Sequence, residues 1–354
     1  MEVTGSSPVG RTKEMEVRVR YIGNKRKLLD FIENSIAEKV GNLEDKVFCD
    51  LFSGTTTVAK HFKKKCKKVI SNDLERYSYV LAKNYLENNS PIDYHEMISE
   101  LNSLEGEEGI FTKNLSPFGD CERKFFTVEN AKKIDAIRSK VEEWKNNDKI
   151  NEGQYFFLLA SLLESVDKHA NTTGVYGAFL KKFDKKSTNL FFLEAAKFDI
   201  GLSSGEVFHG DANELLPNLT GDVLYLDPPY NARQYGANYH ILNYICSNEI
   251  NIKLDKEGKE SKTGLPSDYN KSPYSTKSGV KRAFEDLVSK SNGFKWVFLS
   301  YNDEGLLSLD EIKDIFEKHG KYYLTSTAHL RYNSSKNKSS KKHTIEYLHI
   351  LERG

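Results

Sequence analysis

Apolar and polar positions divide the chain into two textures. Short apolar runs bounded by small or turn-forming residues read as buried strands: Val47-Phe48-Cys49-Asp50-Leu51-Phe52, Lys68-Val69-Ile70-Ser71-Asn72-Asp73, Glu206-Val207-Phe208-His209, Val223-Leu224-Tyr225-Leu226 and Trp296-Val297-Phe298-Leu299-Ser300-Tyr301. Elsewhere apolar residues recur every three or four positions, as at Leu28, Ile32, Ile36 and Val40, which is the period of a helix packed on one face. Strands alternating with helical segments imply an α/β sheet. Two final strands, Tyr322 to Leu330 and Ile345 to Leu351, close the chain.

The strand pattern breaks between Pro91 and Gly205, where the text turns helical: Ile134, Ile137, Val141 and Trp144 form one face, and Tyr155 to Val166 a second, strongly apolar helix. Residues 91–205 therefore read as an inserted helical domain, and 18–90 with 206–354 as the sheet domain it interrupts. Residues 1–17, which include Thr4, Gly5, Ser6, Ser7, Pro8 and Gly10, show no periodicity and read as a disordered leader, with Met15 a candidate start.

One strand ends abruptly. After Val223 to Leu226 come Asp227, Pro228, Pro229 and Tyr230, and two consecutive prolines forbid continuation as strand or helix. In a parallel sheet such a turn lies at the carboxyl end of a strand, where ligands bind. Asp227 and the Pro228 carbonyl can each accept a hydrogen bond from an exocyclic amino group while Tyr230 lies against the ring that carries it. This turn, with its flanks, resembles that of the amino-group DNA methyltransferases, specifically the adenine-N6 enzymes that include the Dam type and the FokI-type modification methylases. Related Asn-Pro-Pro-Tyr and Ser-Pro-Pro-Tyr turns serve protein, RNA and cytosine methylation, so the flanks decide.

Upstream, Arg20-Tyr21-Ile22-Gly23-Asn24-Lys25 precedes a helix. Spacing alone allows an ordinary capped helix; Tyr-x-Gly-x-Lys is also similar to the family's amino-terminal cofactor segment, which implies Tyr21 near the cofactor's adenine and Lys25 reaching the catalytic pocket or the methionine carboxylate. Asp50, Phe52, Ser53 and Gly54 lead from the first strand into a tight turn, where small residues let the backbone approach a ligand. The family's turn is Phe-x-Gly-x-Gly; Thr56 stands at the second glycine, a departure expected to cost some close approach. Asp73 ends the second strand, where a Rossmann-like site places an acid on ribose hydroxyls and where a helix N-cap is the other role. Asp211 follows the third strand, with an N-cap and, by the resemblance, a bond to the cofactor's adenine amino group as its two readings.

Composition adds little to the search for a partner. With 52 basic and 51 acidic side chains the net charge is +1, so local clusters must carry any nucleic-acid argument. The candidates are Asn171, Lys181 and Lys182 in a Gly- and aromatic-rich stretch of the insert; Arg233 and Gln234 after the catalytic turn; and Arg331, Lys336, Lys338, Lys341 and Lys342 between the last two strands. The run from Lys60 to Lys68 reads as merely solvated, and the Lys/Ser-rich stretch from Lys253 to Gly279 as mobile. Four scattered cysteines form no Cys-x-x-Cys, which argues against a zinc or redox site and for a reducing cytoplasm. No apolar run approaches the roughly 20 residues that span a bilayer.

The order of these segments over residues 18–351 implies, through the resemblance, a Rossmann-like methyltransferase fold: a mostly parallel sheet closed by an antiparallel hairpin, with the insert as a target-recognition lobe. It further implies S-adenosylmethionine as cofactor, double-stranded DNA as substrate and partner, direct transfer to the N6 of a flipped adenine without a metal, and a place in a restriction-modification system beside a cognate restriction endonuclease. The alternatives are cytosine-N4 or RNA adenine methylation in the same pocket, and a catalytically silent nucleic-acid-binding subunit.

Overall fold

A computed structural model describes residues 19–200, 203–330 and 343–354. Seven strands form one sheet: β1 (Val47–Asp50), β2 (Lys68–Asp73), β3 (Ser204–His209), β4 (Gly221–Leu226), β5 (Phe294–Asn302), β6 (Lys321–Leu330) and β7 (His343–Glu352). Their order is β3-β2-β1-β4-β5-β7-β6. The first five run parallel, and β7 pairs antiparallel with both β5 and β6. This is the Rossmann-like sheet with its closing hairpin. The order steps outward from β1 through β2 to β3, then restarts at β4 on the other side of β1, and such a switch leaves a crevice beyond the carboxyl ends of the two central strands.

The strands read as continuous apolar runs because both faces are covered. Successive residues alternate sides: Phe48, Val69, Tyr225 and Phe298 enter one core, whereas Cys49, Ile70, Leu224 and Val297 enter the other. The second core is completed by Phe284, Leu287, Ile312 and Phe316, from the helices Val280–Lys290 and Leu309–Glu317.

The helices of residues 91–205 join the first core. Ile134, Ile137, Val141 and Trp144 line one face of the helix Val128–Asn146, as the spacing predicts, and all are buried. The apolar helix Glu152–His169 starts in a capping box between Asn151 and Gln154. Its Phe157, Leu158, Leu162 and Val166 share one hydrophobic cluster with Phe48 and Tyr225 of the sheet. Arg138, 2% exposed, donates to the carbonyls of Ile245 and Cys246, which satisfies the end of the helix His240–Ser247, beyond the 91–205 segment.

Two expectations about polar segments are corrected. The run Lys60–Lys68 is not uniformly solvated: Lys63 is fully buried and donates to the carbonyls of Tyr85, Asn88 and Asp199 at 2.9, 3.1 and 3.2 Å. Burial pulls its ammonium down to about 8. The stretch 253–279 is not a loose loop, because its backbone is caught from several directions. Ile252 bridges Pro266, and Leu254 bridges Glu260. Arg123 grips Glu260 and the Ser261 carbonyl, and Tyr244 donates to the carbonyl of Gly264.

Candidate active site

The carboxyl ends of β1, β2, β3 and β4 open into one pocket of about 920 Å³, its open mouth included. Parallel pairing puts them there: Asp50 sits level with Ser71 of β2 and Tyr225 of β4, so the acids at the strand ends converge. Asp50, Asp73, Asp211 and Asp227 all line the pocket, with Tyr21, Gly23, Lys25, Phe52, Ser53 and Gly54.

The turn after β1 is held by its neighbours. Ser53 N–H donates to the Asn72 carbonyl and Thr56 N–H to that of Ser53, while Asp50 Oδ2 accepts from Ala59 N–H at 3.1 Å. Gly54 has φ +51°, and a Cβ there would meet Tyr21 Cε1 at 2.9 Å, so the approach of loop to ring needs glycine. Thr56 adopts φ +63° and is fully buried. The glycine-like conformation is thus kept without the glycine. Asp50 Oδ1 is buried and takes no hydrogen bond; burial and the nearby Asp227 hold this carboxyl well above the usual range.

Asp73 accepts from Glu75 N–H at 2.9 Å through Oδ1 and from Gly54 N–H at 2.8 Å through Oδ2. It braces the turn and lines the pocket, and burial pushes its carboxyl above the ordinary value against the pull of those two bonds. Asp211 is the N-cap of the short helix Ala212–Leu215, accepting from the N–H groups of Asn213 and Glu214, and its residue also faces the pocket. Phe52 meets Tyr274 edge-on, with ring centroids 5.3 Å apart.

Tyr21 is packed into an aromatic cluster, stacked on Tyr239 with centroids 4.8 Å apart and flanked by Tyr235 and Tyr77. Tyr239 Oη accepts from Ile22 N–H, and Tyr235 Oη donates to the Ile22 carbonyl. The segment around Ile22 is thereby clasped by residues that follow the Asp-Pro-Pro-Tyr turn. Gly23 sits at φ +77°, in the left-handed region that favours glycine.

Lys25 reaches the Asp-Pro-Pro-Tyr turn: its Nζ lies 3.0 Å from Asp227 Oδ1 and 3.0 Å from Glu346 Oε1, with the lysine 4% exposed. Burial alone would lower the ammonium, but the two carboxylates hold it well above its ordinary value. Asp227 is 18% exposed. Burial pushes its carboxyl up to about 6, with Lys25 pulling it down and Glu346 raising it. Pro228 is buried, Pro229 half-buried, and the Tyr230 ring stands edge-on to Tyr301, with the lysine ammonium 5.2 Å from its centroid.

Several of these residues escape a reading of the sequence. Asn72 ties the strand ends together by donating to the Leu51 and Gly210 carbonyls. Asn270, Ser272, Pro273 and Tyr274 wall the pocket from the stretch expected to be loose. Glu346 had one visible signal, an acid on the strand face of Thr344 and Leu348.

The nucleic-acid candidates fare unevenly. Asn171 is corrected: it is fully buried, donates to the carbonyls of Lys124 and Leu180, and accepts from Asp184 N–H, so its amide is consumed within the loop and cannot reach a base. Lys181, Lys182 and Arg233 are exposed. Gln234 is engaged twice with Ser272, accepting from its N–H and donating to its carbonyl, and lines the pocket. Arg331, Lys336, Lys338, Lys341 and Lys342 lie outside the described residues. Among the described residues no cluster of His, Cys, Asp and Glu could hold a metal ion.

Comparison with known proteins agrees with this geometry. A family model described as D12 class N6 adenine-specific DNA methyltransferase matches residues 21–315. The chain is 47% identical to the type II methyltransferase M.NlaIII of Neisseria lactamica over 95% of its length and 99% of the relative's. It is 40% identical to the type II methyltransferase M.FokI of Planomicrobium okeanokoites, again over 95% of its length but only 53% of that protein, and 36% identical to M.CviAII of Paramecium bursaria Chlorella virus 1 over 90% and 93%. A pocket at the sheet's switch point that Asp227 of the Asp-Pro-Pro-Tyr turn lines, in a chain that a family model matches over most of its length, makes this protein a member of the D12 class N6 adenine-specific DNA methyltransferases.

Proposed function

We propose that this enzyme moves a methyl group from S-adenosylmethionine to the N6 of an adenine flipped out of duplex DNA. The observation that carries the reading is Asp227: an acid on the Pro-Pro turn, at the pocket's edge, with one oxygen paired to Lys25. Asp227 and the Pro228 carbonyl would orient the two N–H bonds of the amine, and Tyr230 would lie against the base. Extrusion costs a few kcal/mol, part of which stacking returns at about 1 to 3 kcal/mol per base.

The pocket fits the cofactor. Each Asp73 oxygen carries one backbone bond and keeps capacity for a ribose hydroxyl. Gly54 leaves a cradle that a Cβ would fill, and Asp50 Oδ1 is a buried acceptor without a donor. Tyr21, Gly23, Phe52, Ser53 and Asp211 complete the wall that would hold the nucleoside. When bound, S-adenosylmethionine supplies a methyl group already activated on sulfonium. The protein's task is then alignment of the amine and exclusion of water.

DNA would be held by cations, with the exposed Lys181, Lys182 and Arg233 as described candidates and the basic residues of 331–342 as further ones by sequence. Residues 91–205 would carry target recognition. The names of the relatives, type II methyltransferases, support a modification role beside a cognate restriction endonuclease. The DNA that such an enzyme would modify is cytoplasmic. Among the described residues no helix is long and apolar enough to cross a membrane. Long-read sequencing and nucleoside analysis of DNA from a methylation-free host expressing the chain should show N6-methyladenine at a defined motif. N4-methylcytosine, or methylated RNA with unmodified DNA, would overturn the reading.

A further inference from the structure

Glu346 belongs neither to the catalytic turn nor to the cofactor side of the pocket, yet its carboxylate ends on Lys25. It is 2% exposed on β7, and its Oε1 lies 3.0 Å from Lys25 Nζ and accepts a 2.6 Å hydrogen bond from Ser300 Oγ on β5. The same ammonium lies 3.0 Å from Asp227 Oδ1. One lysine therefore joins two carboxylates brought by different strands, β7 and the end of β4. An acid on the buried face of a strand is costly unless a cation meets it. An apolar residue here would have served packing alone.

Resting on the methyl-transfer reading above, we propose that Glu346 is a positioning residue for the reaction: it holds Lys25 from the side away from Asp227, so that the ammonium occupies one oxygen of Asp227 and leaves the other to the substrate amine, and it keeps the cluster net negative where the amine becomes positive as it is methylated. An ammonium shared between two carboxylates withdraws less from each than one bound to Asp227 alone, so Asp227 remains the stronger acceptor. The groups facing Asp227 are Lys25, Glu346 from β7, Asp50 from β1, Tyr225 from β4, and Tyr230 and Tyr235 beyond the turn. Of these, Lys25 lowers the Asp227 carboxyl and Glu346 raises it.

The test is the pH dependence of kcat/KM, which reports groups of the free enzyme, for methylation of unmethylated genomic DNA by the wild type, E346Q and E346D, with thermal unfolding of each. E346Q keeps the shape and the acceptor for Ser300 but loses the charge. Because that charge raises Asp227, its removal should move the acidic limb to lower pH by on the order of one unit and lower the plateau at least about tenfold. E346D keeps the charge with a shorter reach, so its limb should stay near the wild-type position while its plateau falls severalfold. An E346Q limb that coincides with the wild-type limb, with only thermal stability changed, would assign Glu346 to structure and overturn the proposal. Should E346Q not fold, E346D decides: wild-type turnover despite the shortened contact overturns it as well. Failure of the underlying reading looks different, since the wild type itself would then form no N6-methyladenine.

Discussion

Asp227→Asn should make this protein more stable while removing its activity. The side chain is only 18% exposed and shares its neighbourhood with Glu346 and Asp50. Burial raises its carboxyl from 3.8 to about 6, even with Lys25 pulling the other way. In the unfolded chain the group titrates near its ordinary value of about 3.9. The folded value is the higher of the two, so ionisation is disfavoured in the folded state. Below about pH 4 both states are protonated and the group is neutral in the balance; between about pH 4 and about 6 the unfolded chain ionises first and the folded protein progressively loses stability, after which the penalty levels off. At roughly 1.4 kcal/mol per pH unit the full penalty is about 3 kcal/mol above pH 7, a ceiling that the remaining contact with water reduces. Asparagine has the shape of the neutral acid and never ionises. The variant should therefore gain about 1 to 3 kcal/mol at pH 8, with the gain vanishing below about pH 4. The same change removes the charged acceptor opposite the amine, so methyl transfer should fall at least about a hundredfold. Urea unfolding of both proteins at several pH values, beside a methylation assay, measures both halves. A variant less stable than its parent at pH 8, or a gain independent of pH, would refute the reasoning.

Asp73→Ala should weaken binding of S-adenosylhomocysteine by roughly 1.5 to 3 kcal/mol in calorimetry, as expected for lost charge-assisted bonds; an unchanged Kd would leave Asp73 only bracing Gly54 and Glu75. Tyr230→Phe should retain most of its turnover and Tyr230→Ala little, because stacking uses the ring; equal damage would shift the role to the hydroxyl. Asn171→Ala strips two carbonyls and one N–H of their buried partner, so denaturant unfolding should show a loss of about 2 to 4 kcal/mol with the methylated motif unchanged, and an altered motif at intact stability would return Asn171 to the DNA.

The acids of the site were legible for a topological reason. Asp50, Asp73, Asp211 and Asp227 each stand at or just beyond the carboxyl end of a parallel strand, and a parallel sheet sends all such ends to one edge. A strand buried on both faces is an apolar run, so its end is easy to see, and the acid there is easy to suspect. What was hidden depends on partners distant in sequence. Lys63 resembles its exposed neighbours until Tyr85, Asn88 and Asp199 supply carbonyls around it. Asn171 looks like a base reader for the same reason that it closes a loop, since a short amide that can bond to adenine can equally bond to backbone. Periodicity marks which residues are inside, and it carries no information about which polar group meets which.

Thr56 shows where motif reasoning and physics part. The family's turn has a second glycine there, and a β-branched residue in the left-handed region costs on the order of 1 to 2 kcal/mol. The chain adopts that conformation all the same, at φ +63°, because the turn is fixed from outside it: Asn72 accepts from Ser53 N–H, Asp50 accepts from Ala59 N–H, and Asp73 accepts from Gly54 N–H. These bonds come from the ends of β1 and β2, the elements with the least freedom to move. The close approach itself happens at Gly54, where Tyr21 leaves no room for a Cβ. Of the motif's two glycines, then, Gly54 is required by its contact with Tyr21, whereas the second position asks only for a backbone conformation that the surrounding strands can enforce on threonine.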